Sequence, residues 1–307
     1  MKGNNYILDF DLEKFSDVAD IVKTMKHISV SGVQEKFPAL IENGKVRLAR
    51  IDERSTHILK PSPWDRTLRA RNQIPANEYL TMQIADQVYG IKTASYGLCF
   101  TPSKKTVFIT RRFDILPNGS KLLVEDFATI IGRDETDDSI HFKYMGSYED
   151  IAKAIRKHVA EWEADLERFF NLVLFNYIYG NGDAHTKNFS LIRHGENFRL
   201  APAYDLLNTH IHIDDDVFAL SEGLSPNIDT SEIMDKTGHP CRLDFYRFGK
   251  IIGIQEPHLN EILDRYTVLP TMVKDLISNS FLNDKMKRSY LRVVRERTSR
   301  FVRFEEW

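Results

Sequence analysis

The sequence predicts an α+β fold of two lobes, a small β-rich N-lobe over residues 1–115 and a larger, mainly helical C-lobe over residues 116–307. Three observations predict it. Strand-like patterns and hairpin turns crowd into residues 37–113, the turn Pro117-Asn118-Gly119-Ser120 ends them, and helical periodicity dominates thereafter. A chain of 307 residues suits one two-lobed molecule, since single hydrophobic cores stop growing at roughly 250 to 300 residues. No linker is long enough to make independent modules, so two lobes sharing a cleft are expected.

In the N-lobe, Pro38-Ala39-Leu40-Ile41 and Val46-Arg47-Leu48-Ala49 flank Glu42-Asn43-Gly44-Lys45, whose Asn-Gly pair is a strong hairpin signal. Thr56–Lys60 reads as a further strand. Apolar spacing at Tyr79, Leu80, Met82, Ile84, Ala85 and Val88 predicts a helix closed by a left-handed cap at Gly90. Tyr96–Phe100 and Thr106–Thr110 read as another hairpin.

In the C-lobe, helical patterns cover Tyr148–Val159, Ala164–Tyr179 and Asp284–Phe304. Gly180-Asn181-Gly182 should end the second of these and begin a loop. Phe189–Arg193, the turn His194–Asn197 and Phe198–Leu200 form a short hairpin that folds the chain back. Alternation places His210 and His212 on one strand face before Asp214-Asp215-Asp216, an acidic loop rather than an independent metal site. Arg242, Arg247, Arg288, Arg292, Arg295 and Arg297 read as a solvated basic face, and Trp64 and Trp162 as packing residues.

Composition narrows the function classes. Lys plus Arg number 42 against 44 Asp plus Glu, a formal charge of −2, so bulk charge does not argue for direct nucleic-acid binding. Cys99 and Cys241 are the only cysteines and form no paired spacing, which argues against a disulfide framework or a cysteine metal site. The N-terminus lacks the basic-then-apolar order of a signal peptide. The longest apolar run, Phe169–Tyr179, is interrupted by Asn171 and Asn176 and falls short of a membrane span. A cytoplasmic protein without membrane association is expected.

The loop after the second C-lobe helix carries the chemistry. Asp183 and Asn188 stand five positions apart, and Asp205 follows at the end of Leu200–Asp205 after the hairpin. An isolated Asp-x4-Asn is an ordinary turn on backbone grounds. Fold-back to a second carboxylate makes the acid, amide, acid set of a phosphoryl-transfer site. There, Asp183 aligns an acceptor hydroxyl or takes its proton, while Asn188 and Asp205 offer Mg²⁺ the oxygen ligands it prefers. His185 is a candidate to fix the loop or approach the nucleotide, and Lys187 to neutralise the transferred phosphate. Upstream, Lys60 ends a strand, and Glu78 lies near the start of the next helix. A strand Lys held by a helix Glu places a cation on the ATP phosphates. Gly32, Val33 and Gln34, in Ser29-Val30-Ser31-Gly32-Val33-Gln34-Glu35-Lys36, could lay backbone N–H groups on phosphate.

Together with Asn77-Glu78-Tyr79, Arg112-Phe113-Asp114, Gly182–Ser190 and Pro202-Ala203-Tyr204-Asp205, these segments resemble the HipA-like serine/threonine kinases, toxins of bacterial toxin–antitoxin modules. The resemblance runs from Ser29 to about Asp205. It implies a protein-kinase-like fold, ATP and Mg²⁺ as cofactors, Asp183 as catalytic Asp, Asn188 and Asp205 as metal ligands, and Lys60 on the phosphates. It also implies Arg111, Arg112, Phe113 and Tyr204 beside the nucleotide. Family members phosphorylate aminoacyl-tRNA synthetases and arrest translation, and they inactivate themselves by autophosphorylation of a loop serine. Ser29 occupies that place, and Ser31 is a second candidate. A DNA-binding antitoxin is the implied partner.

Only 28 residues precede the loop, as in the short HipT type, so a small separate protein is a candidate to supply the absent N-terminal subdomain. Arg111 stands where HipA-type sequences often carry Glu. Two rival readings share the acid, amide, acid set: a small-molecule kinase of the aminoglycoside or choline type, and a non-catalytic nucleotide-binding partner in a repressor complex. The Ser-x-Ser-Gly-x-Gln-Glu loop separates the first from a HipA-like kinase, and the joint presence of Lys60, Asp183, Asn188 and Asp205 argues against the second.

Overall fold

The structure is a computed structural model that describes residues 6–12, 34–133 and 141–302. Ser29, Ser31, Gly32 and Val33 lie outside the described residues. Strands β1 (Tyr6–Ile7), β2 (Phe37–Glu42), β3 (Lys45–Leu48), β4 (His57–Lys60), β5 (Tyr96–Phe100) and β6 (Thr106–Arg111) form one sheet in the order β1-β5-β6-β4-β2-β3. Its neighbours are antiparallel except β1 and β5, which run parallel.

Asn43 and Gly44 both take positive φ, 50° and 76°. Two such residues are what a tight hairpin between right-twisted strands requires, and they set the register Glu42↔Lys45 and Ile41↔Val46. Helix α1 (Ile74–Gln87), with Pro75 in its first turn, separates β4 from β5 and ends ahead of Gly90 at φ 62°.

After the Pro117–Ser120 turn come β7 (Val124–Asp126), the short α2 (Phe127–Ile130), α3 (Tyr148–His158) and α4 (Trp162–Ile178). A reciprocal cap starts α3: Ser147 Oγ accepts from the Asp150 N–H at 3.3 Å, and Asp150 Oδ2 accepts from the Ser147 N–H at 3.0 Å. Strands β8 (Ser190–His194) and β9 (Asn197–Leu200) form the expected hairpin and join β7 in a second sheet, β7-β8-β9. Helices α5 (Glu232–Thr237), α6 (Arg242–Ile252), α7 (Glu256–Asp264), α8 (Thr271–Ser278) and α9 (Asp284–Val302) complete the described chain.

Two apolar clusters result. A small one fills the sheet with Leu8, Phe37, Ala39, Leu59, Cys99 and Val107. The large one joins Phe169, Phe175, Phe245, Phe248 and Tyr290 of the helical region with Leu80, Ile84 and Ala85 of α1. Helix α1 thus packs with the helices: Thr81 Oγ1 and Tyr290 Oη share a hydrogen bond of 2.8 Å, and Asn77 Nδ2 donates to the Asn208 carbonyl oxygen at 2.8 Å.

Three sequence expectations are corrected. Residues Thr209–Ile211 form a single 3₁₀ turn, so His210 and His212 share no strand face. His210 Nδ1 lies 3.1 Å from Asp215, whereas His212 is buried with Nδ1 2.7 Å from the Arg69 carbonyl oxygen. Trp64 is 47% exposed, while Trp162 packs against the helical core. Arg297 is buried and donates to the Tyr177 carbonyl oxygen at 2.6 Å, an acceptor that the Gly180 N–H also reaches at 3.2 Å. Among the described residues no helix is long and apolar enough to cross a membrane.

Candidate active site

Lys60, the last residue of β4, is almost wholly buried and faces two carboxylates. Its Nζ lies 2.6 Å from Glu78 Oε1 of α1 and also bonds Asp205 Oδ1. Lys36 takes the other side of Asp205, with Nζ 3.1 Å from Oδ2. Burial works against the Asp205 carboxylate, but the Lys36 and Lys60 ammonium groups outweigh it and hold the carboxyl well below its usual range. Burial raises Glu78, whose Oε2 has no hydrogen-bond partner. The Lys60 ammonium stays charged between its two acidic neighbours.

Asp205 is held in a left-handed backbone conformation, φ 55°, which side chains other than glycine adopt only at a cost. The strain is held by neighbours on both sides. The Ala203 carbonyl oxygen accepts from Ala94 N–H, and Ala203 N–H donates to the Lys92 carbonyl oxygen, each at 2.8 Å. On the C-terminal side, Asn208 N–H donates to Asn77 Oδ1 at 3.1 Å.

The loop bearing Asp183 is pinned from three directions. Gly180 turns it out of α4 at φ 72°, and Asn181 N–H donates to the Asn176 carbonyl oxygen at 2.9 Å. Gly182 N–H donates to Thr209 Oγ1 at 2.8 Å, and Thr209 Oγ1 in turn bonds Asp215. From the 3₁₀ turn Phe142–Tyr144, Tyr144 Oη donates to Asp183 Oδ1 at 2.8 Å, and the Lys143 carbonyl oxygen accepts from Thr186 Oγ1 at 2.8 Å. Burial raises the Asp183 pKa, opposed by the Tyr144 hydroxyl and the Lys143 charge. A carboxyl group raised in this way is the stronger base once ionised, which suits it to accept a proton.

Asn188 closes the set. Its Oδ1 accepts from His185 N–H at 3.1 Å and its Nδ2 faces Asp205 Oδ2 at 3.5 Å. Burial, aided by Lys143, lowers His185 to about 3, so its imidazole is neutral. Among the described residues no group of three or more His, Cys, Asp or Glu could cage a metal. One amide and one ionised carboxylate instead suit Mg²⁺, which keeps waters and takes phosphate oxygens as further ligands.

Two cavities meet at Lys36, Lys60, His185, Asn188 and Asp205. One, of about 380 Å³, runs under the sheet past Pro38, Ile58, Ala94 and Phe113. Phe113 and Tyr204 stack there with centroids 5.7 Å apart, and Tyr204 Oη donates to the Lys187 carbonyl oxygen at 2.9 Å. Arg111 and Arg112 line this cavity, yet the Arg112 guanidinium is engaged by Asp114 at 2.7 Å and Ser55 at 3.1 Å. The other, of about 180 Å³, holds Asp183, Glu78, Lys143 and Gln34, whose Nε2 donates to the Pro61 carbonyl oxygen at 3.0 Å.

Lys187, the candidate for neutralising the transferred phosphate, has its Nζ 3.1 Å from Asp126 Oδ2. Lys36, Lys143, Tyr144 and Thr209 are the site residues sequence reasoning did not single out. Lys36 ends the small-residue loop Ser29–Lys36. The Lys143-Tyr144 pair falls in an irregular stretch with no periodic or capping signal.

Comparison with known proteins follows the same line. The family described as HipA-like C-terminal domain matches residues 28–272. The putative kinase Y4mE of Sinorhizobium fredii is 27% identical over 197 residues, 59% of this chain and 42% of that protein. A putative kinase of Haemophilus influenzae is 28% identical over 221 residues, 67% and 60% of the two chains. The serine/threonine-protein kinase toxin HipA of Shewanella oneidensis is 26% identical over 248 residues, 70% and 53% of the two. The chain therefore spans about half the length of these relatives. Among solved structures, Shewanella oneidensis HipA, in a complex with HipB and operator DNA, gives a TM-score of 0.64 at 20% identity, covering 89% of this chain and 63% of that one. The Helicobacter pylori proinflammatory kinase CtkA gives 0.55 at 17% identity, covering 89% and 90%. These likenesses show a two-lobed α+β kinase-like fold.

Proposed function

The chain belongs to the HipA-like C-terminal domain family, and from that premise we propose that it is an ATP- and Mg²⁺-dependent kinase acting on a serine or threonine of a protein. One observation carries the reading: Lys60, reaching from the sheet, bonds both Glu78 and Asp205, beside Asn188 and in the cavity that holds Asp183. That arrangement is what placing a nucleotide's phosphates against an acceptor requires.

In this mechanism the cavity under the sheet receives the base, with Phe113 and Tyr204 as its aromatic wall. Asn188 and Asp205 would hold Mg²⁺, which supplies charge neutralisation to the phosphates. The acceptor hydroxyl oxygen bonds to the γ-phosphorus, the bond to the β–γ bridging oxygen breaks with its electron pair leaving on ADP, and the hydroxyl proton passes to Asp183. A protein acceptor is favoured over a small molecule by an open groove of about 910 Å³ that begins at Tyr144 and Asp183 and runs past Asp214 to Ser225.

The biological reading is a toxin that phosphorylates an aminoacyl-tRNA synthetase in the cytoplasm, limits itself by phosphorylating Ser29 or Ser31, and is neutralised by a DNA-binding antitoxin. The Shewanella HipA complex with HipB and operator DNA supports the last part. Incubation with Mg²⁺ and ATP, followed by intact mass and phosphopeptide mapping, tests it. A phosphoryl group on Ser29 or Ser31, absent in Asp183→Asn, is expected; no transfer to itself or to any member of a synthetase panel would sink the reading.

A further inference from the structure

Four lysines line the two cavities, and three have their charge answered within the protein: Lys36 by Asp205, Lys60 by Glu78 and Asp205, and Lys187 by Asp126. Lys143 does not. It is 5% exposed, and among the described residues no carboxylate comes within ion-pair reach of its Nζ. The nearest compensation is the face of the Tyr144 ring, 4.8 Å from Nζ to centroid. The side chain is largely packed but lines the small cavity, so its charge faces the space a ligand would fill and not a partner within the fold. Burial lowers the Lys143 pKa, although Asp183 counteracts part of that.

Position identifies the ligand class. Lys143 lines the small cavity with Asp183 and is absent from the lining of the larger one, where Pro38, Ile58, Phe113 and Tyr204 suit a base. Lys36, Lys60 and Asp205 belong to both and mark the passage between them. A nucleotide with its base under the sheet would bring its middle phosphate to that passage and its terminal phosphate into the small cavity.

We propose that Lys143 is a phosphate-binding residue for the terminal, transferred phosphoryl group, so that it distinguishes a nucleoside triphosphate from a diphosphate. Thr186 fixes it for this, since its bond to the Lys143 carbonyl ties the 3₁₀ turn to the catalytic loop. The assignment rests on the kinase reading above.

Calorimetric titration with Mg²⁺-ADP and with a Mg²⁺-bound non-hydrolysable ATP analogue tests it. Lys143→Met should lose about tenfold to a hundredfold in affinity for the triphosphate, the worth of a charged hydrogen bond, and stay within about twofold for ADP. Lys143→Arg should keep the triphosphate preference. Without nucleotide, Lys143→Met should melt close to the wild-type temperature, since the ammonium makes no ion pair within the fold. A retained preference in Lys143→Met, an equal loss for both nucleotides, or a melting point well below wild type overturns the assignment. If wild type binds neither nucleotide, the kinase reading falls and takes this one with it.

Discussion

Asp183 sets two measurable expectations. Burial raises it above the ordinary 3.8, so acceptor activation should fall as pH drops through a value higher than that. An acid limb of kcat/KM at or below 3.8 would contradict this. The stability sign follows from the same shift: the folded state binds this proton more tightly, so the contribution is full below the unfolded pKa and lost as pH rises through the folded one. Ionisation of Asp183 is therefore the step that costs stability. Asp183→Asn should lose transfer by about 10²- to 10⁴-fold while melting at or above wild type. Gly182 is required by close approach, because an added Cβ would lie 2.4 Å from Asp215 Oδ2 and 2.6 Å from the Asp216 carbonyl oxygen. Gly182→Ala should displace the Asp183 loop, lowering both the melting temperature and kcat.

At the scale of elements, the contact between β4 and α1 depends on the Lys60–Glu78 pair. Removing one partner of a buried pair leaves the other charge uncompensated, so Lys60→Met should destabilise by about 3 to 5 kcal/mol. Glu78→Gln in the same background should recover part of that, and a double-mutant cycle in denaturant would show a coupling energy. Additive effects would mean the pair does not join these elements. Hairpin β2–β3 was legible because Asn43-Gly44 permits few alternatives. The segment around His210 was not, because its alternation of His and Ile mimics a strand, whereas bonds to Arg69 and Asp215 decide its turn.

For the whole molecule, the two apolar clusters divide the chain differently from its order. Helix α1 lies between strands in sequence but shares the core of α4 and α9. Native-state hydrogen exchange should therefore protect α1 together with those helices, while β2 and β3 open more easily. Exchange of α1 in step with β2–β3 would contradict this division. Lys60 thus joins β4 both to Glu78 of α1 and to Asp205, which follows β9.

What the sequence by itself determined is the local and the chemical: hairpins from Asn-Gly, helices from apolar period, and the residue types Lys60, Glu78, Asp183, Asn188 and Asp205 in order. Those signals are read within a few residues of each other, or as a fixed motif. Only the tertiary structure decided which charges meet. Lys36 reaches across 169 positions to Asp205, Asp126 takes the charge of Lys187, and Lys143 is left facing the Asp183 cavity. Ion pairing depends on distance and burial between segments remote in the chain, and neither is written in the spacing of the residues.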